Sequence, residues 1–223
     1  MTPTPTPGTA AAIRARAELR LVGVVHARDV DAIAAVHPEW QCLAFRDVAV
    51  VARPGPGRPG TDEPALLAHH RDVTALARTV GSLVPAPPAT QFRSPGAVTQ
   101  WLELHASALA EALAHVEGRV MARVTACRDL AGASSDPAVL PPSAAAAESF
   151  RVLRRHAVAA VPVAGGAAGD GTTIATEAFL VDRVQWDAFA AEVAAEDERS
   201  PGLLLRLTGP WPPYDFVRLQ FTA

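Results

Sequence analysis

The chain has 223 residues with 20 basic and 23 acidic side chains, a formal net charge of −3 and 49% hydrophobic residues. Every basic side chain other than histidine is arginine, and the absence of lysine excludes the Walker phosphate-binding loop, the protein-kinase fold and Schiff-base or pyridoxal-phosphate enzymes. The slight acidic excess argues against a nucleic-acid-binding module, and no apolar run reaches the roughly 18 residues of a membrane span.

The first 18 residues predict a disordered leader, because their Thr-Pro alternation lacks the charged start and apolar centre of a secretory signal. The length of the chain predicts one or two domains. The two cysteines, Cys42 and Cys127, lie far apart and form no spaced set with histidine. Reduced thiols in a cytosolic protein are therefore expected, and no metal site is predicted.

Residues 19–130 are predicted to form an N-terminal domain. The short β-branched run at residues 21–25 predicts a buried strand, and residues 29–36 predict a short helix. Extended runs on either side of Arg46 and Asp47 predict a β-hairpin. The domain therefore begins as strand, helix and hairpin.

Two longer helices and a strand complete this domain. One helix begins near Asp62, and the second has Ser94 as its cap and Pro95 in its first turn, a pair typical of a helix start. Residues 120–127 alternate as in a half-buried strand. The order of elements favours an antiparallel sheet with helices on one face, the ferredoxin-like α+β arrangement.

An Ala-, Ser- and Pro-rich stretch at residues 131–143 predicts a linker, and residues 144–223 a smaller C-terminal α+β domain with an extended tail. Residues 144–161 predict a helix and the glycine-rich stretch 163–173 a loop. That loop superficially resembles a phosphate-binding loop, but it lacks the lysine and is interpreted as a solvated linker. The remaining predicted elements are a strand at 177–181, a helix at 184–195 and a strand at 203–207.

The most distinctive string in the chain is GPWPPYDF, which starts at Gly209 and ends at Phe216. Its three prolines predict a stiff, extended backbone from which Trp211 and Tyr214 project. Together with the LVGVV opening, the LLAHH helix start and the AFLVD strand, this tail resembles the gas vesicle accessory protein family GvpF/GvpL, in which a Gly-Pro-Trp-Pro-Pro-Tyr-x-Phe sequence is found. The resemblance covers most of residues 21–217 in element order, and its specificity lies mainly in the tail.

The resemblance implies a cytoplasmic, non-catalytic protein that takes part in gas vesicle assembly. Its implied partners are the small, hydrophobic shell protein and other accessory proteins, with no nucleic acid and no membrane among them. Retention as a minor component of the finished vesicle is left open. Pairing of a partner strand with a sheet edge and docking of a partner helix in an apolar groove are the two routes considered.

The tail supplies three candidate partner-binding residues, Trp211, Tyr214 and Phe216. Their aromatic rings suit a protein interface, but they are also the side chains that a tail would use to pack back over its own domain. Both interpretations remain open on the sequence.

The segment Arg151, Arg154 and Arg155 supplies three further candidates, because spacing of i, i+3 and i+4 places these side chains on one helix face. A solvated face is one interpretation. Contact with an acidic partner, or with the acidic helix segment at residues 192–198, is the other.

No catalytic residue and no cofactor is predicted. The adjacent His69 and His70 point about 100° apart on a regular helix and cannot share one metal ion, so a core or interface role is favoured. The chain has no GxSxG nucleophile elbow, and neither cysteine has a recognisable nucleophile context. An alternative of another class, a small-molecule-binding or hydrolytic α+β protein that uses a cleft between its domains, lacks a visible set of acid, base and nucleophile.

Overall fold

The computed structural model describes residues 18–55, 60–129, 141–164 and 172–217. The predicted leader apart from Glu18, most of the predicted linker and most of the glycine-rich loop lie outside this part of the chain. The described residues divide into two compact units, residues 18–117 joined by Val217, and residues 118–216.

The first unit contains five strands and three helices in its described part. They are β1 (Leu19–His26), α1 (Val30–Val36), β2 (Gln41–Phe45), β3 (Val48–Pro54), α2 (Glu63–Thr79), β4 (Val84–Pro85), β5 (Gln91–Phe92) and α3 (Pro95–Val116). The strands are antiparallel in the order β2-β3-β1-β4, with β5 also paired to β1. The βαββαβ succession in this strand order is the ferredoxin-like arrangement, which confirms the predicted fold class.

The expectation that all helices lie on one face of this sheet is wrong. One face, which includes Leu21, Val24 and Val50, packs against the inward side of α3. The alternate residues Val25 and Val51 are equally buried on the opposite face, where α1 and α2 supply their own buried side chains. A strand that is apolar on both faces needs cover on both, and α3 provides the second layer.

The second unit contains four strands and two helices in its described part. They are β6 (Arg119–Arg128), α4 (Pro142–Leu153), β7 (Ala159–Pro162), β8 (Thr173–Asp182), α5 (Trp186–Arg199) and β9 (Leu203–Trp211). The order β7-β8-β6-β9, antiparallel throughout, again gives the βαββαβ arrangement. Three phenylalanine rings form the centre of its core: Phe179 lies 6.1 Å from Phe150 and 5.4 Å from Phe189, centroid to centroid.

The structure corrects the placement of β6. The sequence assigned this strand to the end of the N-terminal domain, because the change in composition falls after it. In the structure β6 lies between β8 and β9, and it is the most extensively paired strand of the second sheet. A linker-like composition thus marks a connection within the second unit, from β6 to α4.

The helix predicted at residues 144–161 is shorter than expected. It ends at Leu153, continues as one 3₁₀ turn and gives way to β7, which pairs with β8. The alanines around Val158 and Val161 favour a helix in isolation, but the exposed edge of β8 offers hydrogen-bond partners that override this weak preference.

Candidate functional site

The aromatic tail is fixed to the second sheet rather than projecting freely from it. Trp211 is the last residue of β9 and pairs with Met121 of β6. The Arg123 guanidinium donates to the Asp215 carboxylate from Nε at 3.1 Å and from Nη2 at 2.8 Å, which ties the chain beyond β9 to β6. The tail is therefore a continuation of an edge strand.

The backbone at position 209, just before the tail, requires a glycine. Its φ of +133° lies in the region that favours glycine. A Cβ at this position would lie 2.8 Å from the carbonyl oxygen of Met121 and 2.8 Å from the Trp186 ring. The conformation that lets β9 carry the aromatic tail past α5 is thus available to glycine alone.

The three candidate tail residues are all half-buried. Burial raises the pKa of the Tyr214 hydroxyl, and the intervening Pro212 and Pro213 are fully buried. Trp211, Tyr214 and Phe216 therefore each have a packed part and an accessible part. Such rings can hold the tail in place and still offer apolar area to another polypeptide.

The three candidate arginines have different surroundings. Arg151 pairs with Glu148 on its own helix. Arg154 reaches down to Glu177 of β8 and donates from Nε and Nη2 to the two carboxylate oxygens at 2.7 and 2.8 Å. The Glu177 side chain is only 3% exposed, whereas Arg154 is exposed like the other two arginines, so Arg154 lies on the outer face and also covers a buried carboxylate.

Arg155 makes no ion pair with any other described residue. Contact with the acidic helix segment was the second interpretation, and Arg151 does have a Coulombic interaction with Glu196 of that segment. The ion pairs of the segment are internal, because Arg199 binds both Glu192 and Glu196. Arg155 is therefore the candidate arginine with the most freedom to bind another molecule.

A groove of about 770 Å³ lies between α4 and α5 in the second unit. Its lining combines apolar surface with charged side chains of both signs. Arg155 and His156 line this groove and also a neighbouring pocket of about 340 Å³. The other charged residues of the groove are Glu148, Glu192, Glu196 and Arg199.

The four sheet edges differ in how they are protected. At β9, the Leu205 N–H donates to Asp197 Oδ1 at 2.6 Å and the Leu203 N–H to the Ser200 carbonyl at 3.0 Å, and Pro210 follows. The edge formed by β4 and β5 consists of two residues in each strand, and β7 has four residues and ends in a proline. Among the described edge strands longer than two residues, only β2, Gln41–Phe45, is free of both proline and charge.

His69 has a structural partner. Its Nε2 donates to the Ala86 carbonyl at 2.9 Å, and burial lowers the pKa of the imidazole below its usual 6.5. The adjoining cavity is about 60 Å³, which holds about two water molecules. Within the described ranges no group of three or more His, Cys, Asp or Glu side chains is placed to hold a metal ion.

The tail and the arginines do not lie on the same part of the second sheet. The tail follows β9 at one edge, whereas the arginine segment precedes β7 at the other edge. The sequence reading did not find Asp197, whose role depends on where α5 ends relative to β9. It also did not single out β2, although the uncharged run QCLAF beside a two-residue turn was a visible signal.

These features define a two-domain α+β protein whose two sheets share the ferredoxin-like strand order. A family model described as gas vesicle synthesis protein GvpL/GvpF matches residues 5–140 and 139–218. The chain belongs to this family.

Known proteins agree with this assignment. Gas vesicle protein F2 of Halobacterium salinarum is 40% identical over 50 residues, which are 22% of this chain and 23% of that protein. The chain thus matches less than a quarter of the length of this curated relative. In the part of the chain that the structure describes, no helix is both long and apolar enough to span a bilayer.

Two crystal structures share the fold. The gas vesicle protein GvpF from Anabaena sp. PCC7120 superimposes with a TM-score of 0.71 at 15% identity over 92% of this chain and 97% of its own. GvpF from Microcystis aeruginosa gives a TM-score of 0.69 at 15% identity over 91% of this chain and 100% of its own. At this level of identity the likeness shows the two-unit α+β fold.

Proposed function

We propose that this protein is a non-catalytic accessory protein of gas vesicle assembly that binds the hydrophobic shell protein or other accessory proteins. The observation that carries the proposal is the family match, which runs through nearly the whole chain in two consecutive stretches. A match of this extent includes both ferredoxin-like units and the aromatic tail.

The physical need for such a protein follows from the chemistry of its partner. A shell protein that polymerises into an apolar-lined wall exposes apolar surface and unpaired strand edges before assembly. Another protein that covers them temporarily prevents aggregation. The unprotected edge of β2 suits this task better than an enzyme-like cleft does.

The geometry favours strand pairing over docking of an apolar helix. The groove between α4 and α5 has five charged side chains among its apolar ones, and an apolar helix that docked there would have to desolvate them. A polar segment of another accessory protein is a better occupant there, with Arg155 as its contact in the groove and Arg151 beside it on the surface of α4. Arg154 is committed to Glu177 and would act by holding α4 in place.

The experiment is co-expression of this chain with the shell protein and the other accessory proteins, with vesicle formation and co-purification as readouts. We expect vesicle yield to fall when the chain is omitted and the shell protein to co-purify when it is tagged. Mass spectrometry of washed vesicles then decides whether it stays in the particle. Normal vesicle yield without this chain, together with no co-purification, would overturn the proposal.

The contributions of the tail and the groove are separated by two variants. Trp211→Ala tests the tail: a folded variant that no longer retains its partner indicates direct contact, whereas an unfolded variant indicates packing. Arg155→Glu tests the groove, with the exposed Arg78→Glu on α2 as the matched charge reversal. Loss of an accessory protein from Arg155→Glu but not from Arg78→Glu is the expected result.

A further inference from the structure

The outer edge of β2 carries unused backbone hydrogen-bonding groups. In an antiparallel ladder each residue turns its N–H and C=O to one side, and successive residues alternate. Phe45 and Val48 close the two-residue turn between β2 and β3, so Phe45, Leu43 and Gln41 face β3. Cys42 and Ala44 consequently turn their N–H and C=O away from the sheet.

Nothing in the described residues satisfies these outward groups. β2 is the terminal strand in the order of the first sheet, and no backbone hydrogen bond is made to Cys42 or Ala44 from outside the sheet by a described residue. Ala44 is exposed, so its outward side is accessible. A second strand can therefore approach along this side.

β2 differs from the other described edge strands in having no protection against strand pairing. Proteins normally protect edge strands by proline, charge, short length or a covering element. In this protein α5 covers the start of β9 through Asp197 and Ser200, and the remaining described edges are short or contain proline. β2 carries none of these devices over its five residues.

The side chains of β2 indicate the chemistry of the occupant. Leu43 and Phe45 pack against the core beneath α3, so an added strand with apolar side chains on that face would extend the core. None of the five residues is charged, and a charged strand would find no partner there. The complement is an extended, uncharged, apolar strand.

We propose that the outer edge of β2 is the strand-pairing site for the shell protein, which adds one extended apolar strand antiparallel or parallel to Gln41–Phe45. This inference rests on the proposed function for the identity of the partner. The surface itself is defined by the backbone groups of Cys42 and Ala44.

The test is the variant Ala44→Pro in the full chain. Proline at this position removes the outward N–H and fills its place with the ring, while the pairing to β3 uses other residues and is preserved. Ala44→Val, which keeps the N–H and favours a strand, is the matched control. We expect Ala44→Pro to reduce co-purification of the shell protein by about tenfold or more, the effect of losing one backbone hydrogen bond, while Ala44→Val retains it.

Thermal unfolding and size-exclusion chromatography complete the experiment. If wild type binds the shell protein and a stably folded Ala44→Pro binds equally well, the edge is not the site. If wild type does not bind the shell protein at all, the inference is overturned, whereas the proposed function fails only if vesicle yield is also normal without this chain and no accessory protein co-purifies. If wild type is a dimer that Ala44→Pro dissociates without affecting shell-protein binding, a second copy occupies the edge and the inference is overturned. Should Ala44→Pro unfold, Ala44→Lys, which keeps the backbone intact and adds a charge to the edge, is measured in its place and is expected to lose the shell protein.

Discussion

The ion pair between Arg154 and Glu177 gives Arg154 a structural role, because it neutralises a buried carboxylate. The position of Arg154 in the sequence does not reveal this role. Arg154 is half-exposed, but its planar guanidinium reaches a carboxylate that is almost completely buried. Hydrogen bonding to Glu177 raises the pKa of Arg154. A buried carboxylate tolerates this position only because both its oxygens are satisfied.

Arg154→Met should therefore lower the free energy of unfolding by about 2 kcal/mol, since it leaves Glu177 buried without its partner. The measurement is urea unfolding followed by circular dichroism. Arg151→Met, which removes an exposed ion pair within α4, is the control and should leave the free energy of unfolding nearly unchanged. An equal loss in the two variants would contradict the assigned role.

His69 gives the first unit a dependence on pH. Because burial lowers its pKa in the folded state, the unfolded chain binds the proton more readily. Its contribution to stability is fully present above pH 6.5, the usual pKa, and is lost as the pH falls from there through the lowered folded value. His69→Gln should flatten this part of the plot of unfolding free energy against pH. The exposed His115→Gln serves as control, and an unchanged slope in His69→Gln would refute the argument.

The sequence predicted most single elements correctly where local chemistry decides them. Ser94 caps α3 by accepting a hydrogen bond from the Ala97 N–H at 3.3 Å, with Pro95 in the first turn as expected. The hairpin of β2 and β3 is also confirmed. β7 was missed because its alanines carry no strand preference, and the Arg154 contact was missed because it depends on the distance between α4 and β8.

Asp197 protects the first part of the β9 edge from pairing with other strands. Its carboxylate accepts the Leu205 N–H that would otherwise point outward from β9. The end of α5 thereby closes an edge that is rich in leucine and that would otherwise attract other strands. One carboxylate at a helix end thus protects the first part of this edge, where β9 has neither proline nor lysine.

Asp197→Ala should lower the free energy of unfolding by about 2 kcal/mol, through loss of a charge-assisted hydrogen bond, and should increase self-association. Asp197→Asn keeps an acceptor oxygen and is expected to lose less than half as much. Chemical unfolding and light scattering as a function of concentration are the measurements. A variant that is destabilised but remains monomeric at all concentrations would show that the carboxylate supports α5 without protecting the edge.

At the scale of the whole molecule, the assignment of β6 decides which piece of the chain is a folding unit. The sequence boundary at residues 131–143 leaves the second sheet without the strand that joins β8 to β9. The structure places the change of unit at residue 118 instead. The composition of residues 131–143 correctly indicates a connection between two elements. It does not show that β6 pairs with β8 and β9, which lie far along the chain.

A fragment of residues 118–217 is accordingly expected to fold cooperatively by itself, because it contains all four strands and both helices around the phenylalanine core. A fragment of residues 144–223, which corresponds to the boundary drawn from the sequence, should show no cooperative thermal transition. Circular dichroism melts and amide exchange on both fragments are the measurements. Cooperative folding of the shorter fragment would show that β6 is dispensable.

The central position of β6 also determines when the second unit can fold during synthesis. The first unit has all its strands and the covering helix α3 once Val116 has emerged, so it can fold while the rest of the chain is still being translated. β6 then emerges with both of its edges unpaired. Its two partner strands are synthesised much later, since β8 starts at Thr173 and β9 ends at Trp211. The second unit therefore matures only after Trp211 has been synthesised, and until then its central strand is exposed to pairing with other chains.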